Sequence, residues 1–178
     1  MAIVITKSTF VTNRDATPAV INDNRIGGST LKSGVGSVAV GAADSATSYY
    51  PLVAVPSTSM VRAIYATSLA GMTTLAGNVG VFKNTANSAN VTTGVSAAAA
   101  SNVIFASAQT FAVVQNRVDV TNTGTTYPTN LREQPLWQAI GLASDPGGTF
   151  DIGVQVTTAN TGAAGRIGIE VQYVDHGS

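Results

Sequence analysis

Side chains able to attack a substrate, relay a proton or hold a metal are sparse in this sequence, and they form no recognisable constellation. His176 is the sole histidine, and a lone imidazole far from any carboxylate pair reads as a surface residue, not a general base. With no cysteine and one histidine, the chain cannot by itself supply the nitrogen and sulfur ligands that zinc takes. The two glutamates, Glu133 and Glu170, fall on different predicted elements and do not read as the paired carboxylates of a glycosidase. Glu170 is expected to pair with Arg166 or with the polar face of its own strand pair. The run Asp145-Pro146-Gly147-Gly148 has the chemistry of a tight turn, Asp capping and Gly supplying positive φ. With Asp151 it could offer carboxylate and carbonyl oxygens to calcium, but the turn alone accounts for these residues. Asn90-Val91-Thr92 matches the glycosylation pattern, without a secretion signal to give it meaning. Tyr49, Tyr50 and Tyr127 could stack on sugars, or fill a core edge or a subunit interface. The sequence therefore predicts no catalytic, cofactor-binding or metal-binding residue, and a protein that is not an enzyme.

Composition narrows the class further. The chain has 178 residues, enough for one domain with a true core. Only 10% of them are charged while 44% are apolar, and low charge with abundant Thr, Ser, Asn and Gly suits a sheet-rich protein that packs its surface against neighbours. Nine basic residues balance nine acidic ones, and the six Arg and three Lys are scattered, so no nucleic-acid footprint is present. No apolar run reaches the roughly 20 residues of a membrane-spanning helix, and the Ala-Ile-Val-Ile start is too short for a secretory core. Neither nucleic acid nor membrane is expected as a partner. The absence of cysteine fits folding in a cytoplasm.

The elements that must position any site fall into two zones. Residues 1–33 hold six of the eighteen charges and are broken by Pro18, Asn22-Asp23-Asn24 and Gly27-Gly28, which predicts an extended arm carrying one short strand near Ile3–Ile5 or Thr9–Thr12. Phe10, Val11, Val20 and Ile21 on this arm are candidate partner contacts, since an arm lying on a neighbouring subunit would cover them; Tyr49 and Tyr50 join them as interface aromatics. Residues 34–178 form the second zone, a domain of about eight strands separated by turns. Strands are predicted at Gly36–Val40, at Tyr49–Val55, which Pro51 and Pro56 either place at a sheet edge or split with a bend, at Met60–Thr67, at Asn78–Lys83 and within Phe111–Val120. Asn84–Ser96 reads as a long loop, or a loop with a weak strand at Val91, Ala97–Phe105 as helical turn or strand, and Asn130–Gln134 as a short helical turn. Trp137 is expected to plug one end of the core. Phe150 to Thr157 and Arg166 to Tyr173 alternate apolar and polar with period two, which predicts a hairpin with Val156 opposite Ile167 and Val154 opposite Ile169. No fixed repeat appears, and a two-sheet antiparallel β-sandwich of the jelly-roll type fits this pattern better than a barrel.

Two stretches carry a resemblance. Gly41-Ala-Ala-Asp-Ser-Ala-Thr-Ser-Tyr-Tyr-Pro-Leu-Val-Ala-Val-Pro-Ser, followed by Met60–Thr67 and Gly77-Asn-Val-Gly-Val-Phe, resembles the small capsid decoration (cement) proteins of tailed bacteriophages, as does Leu136-Trp-Gln-Ala-Ile-Gly-Leu-Ala-Ser-Asp-Pro-Gly-Gly running on to Tyr173. These motifs are turns and core positions. The resemblance implies a jelly-roll subunit, commonly a homotrimer, made in the host cytoplasm, that sits on the outer capsid and bridges neighbouring major capsid proteins. Residues 84–101 have no counterpart in that pattern. A different class also fits a jelly roll: a carbohydrate- or receptor-binding domain of a phage fibre, which would need an aromatic groove where a cement protein needs a broad apolar surface.

Overall fold

The computed structural model describes residues 8–21, 29–46, 48–69, 72–83, 104–123 and 126–175. They form α1 (Thr9–Asp15), β1 (Leu31–Val40), β2 (Tyr49–Pro56), β3 (Met60–Ser68), β4 (Ala76–Lys83), β5 (Ile104–Thr110), β6 (Gln115–Asp119), a 3-10 turn at Leu131–Glu133, α2 (Leu136–Ala139), β7 (Thr149–Thr158) and β8 (Gly165–Val174). Two four-stranded sheets result, ordered β1-β8-β3-β6 and β2-β7-β4-β5. Every pairing is antiparallel, and β1 joins β8, β2 joins β7, β3 joins β6 and β4 joins β5. That nesting is one long antiparallel ribbon, with its tip at β4 and β5, rolled until its halves face each other: the jelly roll that the sequence predicts.

The last two strands correct the predicted hairpin. β7 bonds to β2 and β4, β8 bonds to β1 and β3, and the two belong to different sheets. Val154 lies beside Tyr50 and Val79, and Ile169 beside Gly36 and Ala66. The connection is an arch between layers, so the apolar faces of the two strands form opposite walls of one core. Alternation of period two marks the face a strand buries and is silent about the edge along which it bonds. Asn160 holds the arch: its side chain is 3% exposed, and Nδ2 donates to the carbonyls of Gly41 and Ala163 at 3.0 Å each. Gly162 N donates to Asn160 Oδ1, and Thr74 Oγ1 donates to the carbonyl of Ala159.

Phe150, Ile152, Val154 and Val156 of β7 and Ile167, Ile169 and Val171 of β8 are all buried. With Val55, Ile64, Val79, Val81 and Phe105 they make one continuous core. Along one side β1 crosses close to β2: a Cβ placed on Gly36 would stand 2.0 Å from the carbonyl oxygen of Leu52, so only glycine permits this approach. Pro51 lies on β2, an edge strand as predicted, and the register slips between Pro51 and Val53. A second slip between Val61 and Ala63 lets both Val61 and Ile64 point inward.

Two local expectations change. Thr9–Asp15 is helical, not a strand, because Ser8 caps it: Val11 N donates to Ser8 Oγ at 3.3 Å, and Thr12 Oγ1 donates to the Ser8 carbonyl. The strand expected near Ile3–Ile5, the long loop at 84–96, the undecided Ala97–Ala100 segment, the 90–92 pattern and His176 lie outside the described residues. Trp137 is half-buried against the core margin and does not plug it; Leu136, fully buried, takes that place, its N–H donating to the Ser59 carbonyl at 2.8 Å. The fully buried aromatic of this region is Tyr127, edge-on to Phe105 at 4.7 Å, its hydroxyl donating to the Val61 carbonyl at 3.2 Å. Burial pushes the Tyr127 phenol well above its usual range. Phe105→Ala is expected to cost about 3–5 kcal/mol in denaturant unfolding, and Trp137→Ala about 1–2 kcal/mol. Equal losses would put the indole inside the core.

Candidate interaction surface

The residues proposed from sequence as partner contacts separate into two groups. On the arm, Val20 is 53% and Ile21 91% exposed. Val11 lies half-buried in α1, and the side chain of Phe10 lies outside the described residues. Val20 N donates to the Asn13 carbonyl at 3.0 Å, folding this stretch back on α1. The two tyrosines start β2 and serve the fold. Tyr50 packs against the core and its hydroxyl donates to Asp44 Oδ2, while Gly41 N donates to the same oxygen at 2.7 Å. These two bonds hold the Asp44 carboxyl below its usual range; burial, with the Asp44 bond second, pushes the Tyr50 phenol up. Tyr49 remains 41% exposed, with its ring stacked on Phe82 at 5.6 Å. Phe82 is fully buried yet separate from the main core.

The surface that sequence reasoning missed is the outer face of the β1-β8-β3-β6 sheet. Register aligns its side chains in rows, Val35 beside Glu170 beside Tyr65, and Ser37 beside Gly168 beside Thr67. In the first row, Arg117 reaches in from β6 and grips Glu170 with two bonds, Nε to Oε2 at 2.8 Å and Nη2 to Oε1 at 2.9 Å. Its guanidinium lies 4.2 Å from the centre of the Tyr65 ring. Ser33 and Gln172 also donate to Glu170. The expected partner, Arg166, donates instead to Ser37 Oγ at 3.0 Å. Arg166 sits on β8 itself, four residues from Glu170 along an extended strand, whereas β6 delivers Arg117 directly. Arg117 has a positive φ of 57°, a turn of backbone that no sequence pattern announces.

The second row floors a hollow of about 380 Å³ walled by Leu69, Val114, Gln115 and Arg166. Its lips are greasy: Leu69 is 58% and Val114 63% exposed, and Val113, next to it in the chain, is 58% exposed. The apolar run from Phe111 reads in sequence as the start of a strand, but β6 begins only at Gln115, and Val113 and Val114 stand in the turn before it. Elsewhere, Asp145 is engaged in the predicted tight turn, Oδ1 accepting from Gly147 N at 2.9 Å. Among the described residues no three His, Cys, Asp or Glu side chains gather as a metal site.

No family model matches the sequence, and no curated protein matches it. The chain is similar to a chain of the solved cyanophage Pam1 capsid asymmetric unit, with a TM-score of 0.48 and 17% identity over 82% of this chain and 85% of that one. Likeness at that level assigns neither family nor role.

The Arg117 clamp has a pH signature. The bonds from Arg117 hold the Glu170 carboxyl at about 2, below its ordinary 4.5. A carboxyl depressed on folding stabilises above its unfolded value, so this contribution is complete above about pH 4.5 and is lost as pH falls towards 2. Arg117→Ala should return Glu170 towards 4.5 in a side-chain carboxyl NMR titration. An unmoved titration would show that Arg117 does not hold the carboxylate in solution.

Proposed function

We propose that this chain is a structural virion protein that binds the outer capsid surface and bridges neighbouring major capsid proteins, as the cement proteins it resembles do. The observation that carries the reading is the amount of aliphatic surface left in water by a chain so poor in charge. Ile21 is 91%, Val35 78% and Val114 63% exposed, in a sequence with 10% charged residues. Single exposed aliphatics are ordinary, but here they come in groups: Val20 with Ile21, and Leu69 with Val113 and Val114. Such groups gain most from burial against other protein, at roughly 25 cal/mol per Å² of apolar area removed from water. Each contact is modest, and a shell multiplies it by presenting many copies at once. The motifs at residues 41–57 and 136–148 support the same reading, and so does a jelly roll whose polar outer face is neutralised internally by the Arg117–Glu170 pair.

Phage capsids lacking this chain, mixed with the purified protein, should carry it down on sedimentation with an apparent Kd at or below about 1 μM. They should also withstand more heat before releasing their contents. A protein that stays in the supernatant and binds soluble glycans would replace this reading with that of a fibre domain.

A further inference from the structure

We propose that β1 is a docking edge for a second copy of this chain: two β1 strands pair antiparallel about a two-fold axis at Val35, joining the β1-β8-β3-β6 sheets of both copies into one. The inference stands apart from the virion reading, because it concerns the chain with itself, and it differs from the homotrimer that the resemblance implies.

A strand at the end of a sheet offers unpaired N–H and C=O groups to any strand that can reach them, and folds that stay solitary blunt such edges. Four strands stand at sheet ends, β1 and β6 in one sheet and β2 and β5 in the other. Three of them are blunted. β2 carries Pro51 and Pro56, and its register slips after Pro51. β5 holds Ala108 at a φ of 49°, with the Ala108 N–H donating to Asn78 Oδ1 at 2.9 Å, and its register against β4 is broken as well. β6 is five residues long and holds Arg117 at positive φ. β1 has none of these devices: its ten residues include no proline and no positive φ, and they pair with β8 in unbroken register from Leu31 opposite Val174 to Val40 opposite Gly165. Alternate residues of such a strand turn their backbone groups away from the ladder, and among the described residues no bond reaches the β1 backbone from outside β8. β2 leaves the edge open. Leu52 approaches Gly36 from the core side, where a Cβ would point, while Val35, on the opposite face, is 78% exposed.

The order of residues in β1 selects the occupant. Val35 is the most exposed large apolar side chain of the two sheets. With the axis there, Val35 faces its copy, Ser33 faces Ser37 and Leu31 faces Ala39 along the outer face, so hydroxyls meet hydroxyls and aliphatics meet aliphatics. On the other face Gly34 lies opposite Gly36, with no side chain to collide. No bare charge opposes the contact. Lys32, the one charged residue of β1, is paired with Asp175 at 3.0 Å, and Glu170, beside Val35, is gripped by Arg117. A foreign strand gains the backbone ladder; a second β1 adds the Val35 pair at the axis and a Leu31–Ala39 pair on each side of it, and the two-fold lets one surface serve both partners.

Sedimentation equilibrium of the full chain, with no capsid present, should give a dimer at micromolar concentration. Val35→Lys sets like charges against each other at the axis and should weaken the dimer at least about tenfold, with melting unchanged once both chains are diluted to monomer, since the side chain is exposed. The chain has no cysteine of its own, so a short thiol-specific bifunctional reagent can read the register. Val35→Cys should link to itself. Ser33→Cys should not, because its copy lies about 13 Å along the strand, yet it should link to Ser37→Cys when the two variants are mixed. A native chain that stays monomeric at about 100 μM, a trimer without the Val35→Cys link, a Val35→Lys chain that associates like the native one, or a Ser33→Cys chain that links to itself as readily as to Ser37→Cys would each overturn the proposal. A monomer whose sedimentation with capsids is lost on Val35→Lys would overturn it too, by giving this edge to the shell protein. A dimer that ignores capsids would sustain it and overturn the virion reading instead.

Discussion

The constraint on which this molecule depends is that two consecutive strands, β7 and β8, each sit inside a different sheet and supply facing walls of one core. Phe150, Ile152, Val154 and Val156 line one wall, and Ile167, Ile169 and Val171 the other. Because each strand has a bonded neighbour on both sides, four of the other strands are placed directly by this pair, β2 and β4 flanking β7 and β1 and β3 flanking β8, while β5 and β6 bond onto β4 and β3. The arch between them is therefore a mechanical joint. Its stability comes from a buried amide, Asn160, whose donors are satisfied by carbonyls of two different loops. A buried amide lacking those partners would cost more than the arch gains.

From this joint the character of the surface follows. A sandwich that spends its aliphatics inside needs polar outer faces, and the β1-β8-β3-β6 sheet achieves this with few charges. Glu170 and Arg117 cancel each other, Tyr65 lies under the guanidinium, and Ser33, Ser37, Thr67 and Gln172 complete the face. The aliphatics left in water lie in the turn before β6, at the end of β3, on the arm, and on β1 and β6 at Leu31, Val35 and Val118. The hollow on this face is lined by small hydroxyls and aliphatics, with Arg166 at its edge.

How much of this was legible in the sequence varies with the kind of information each feature needs. The sandwich was readable because alternation at Phe150–Val156 and Ile167–Tyr173 reports burial, and the edge position of β2 because Pro51 cannot serve an interior ladder. The hairpin reading failed on the same residues, since a hairpin and an arch share one alternation and differ in bonding partners far away in sequence, such as Gly36 and Ala66 for Ile169 and Val79 for Val154. The helix at Thr9–Asp15 was hidden by β-branched residues whose weak helix preference a single serine cap outweighs. Glu170's partner was invisible because Arg117, 53 residues away, reaches it through a backbone turn of positive φ that is rare for arginine. Sequence gave the jelly roll's strands and faces; the pairing that closes them is a non-local property.

The same division governs which side chains the fold leaves in water. Tyr49 and Tyr50 look like interface aromatics in sequence, yet Tyr50 is tied to Asp44 and one face of Tyr49 is taken by Phe82. Val113 and Val114 look like strand residues, yet they stand in the turn before β6 and are left in water, as is Leu69 just past the end of β3. A side chain becomes available for association when the backbone cannot turn it inward, and that is decided by where a strand stops. In this fold β6 is cut to five residues, which frees Val113 and Val114 at one end of the sheet. The short strand thus does two jobs: it ends the sheet on a small edge, and it leaves an apolar recess beside that edge.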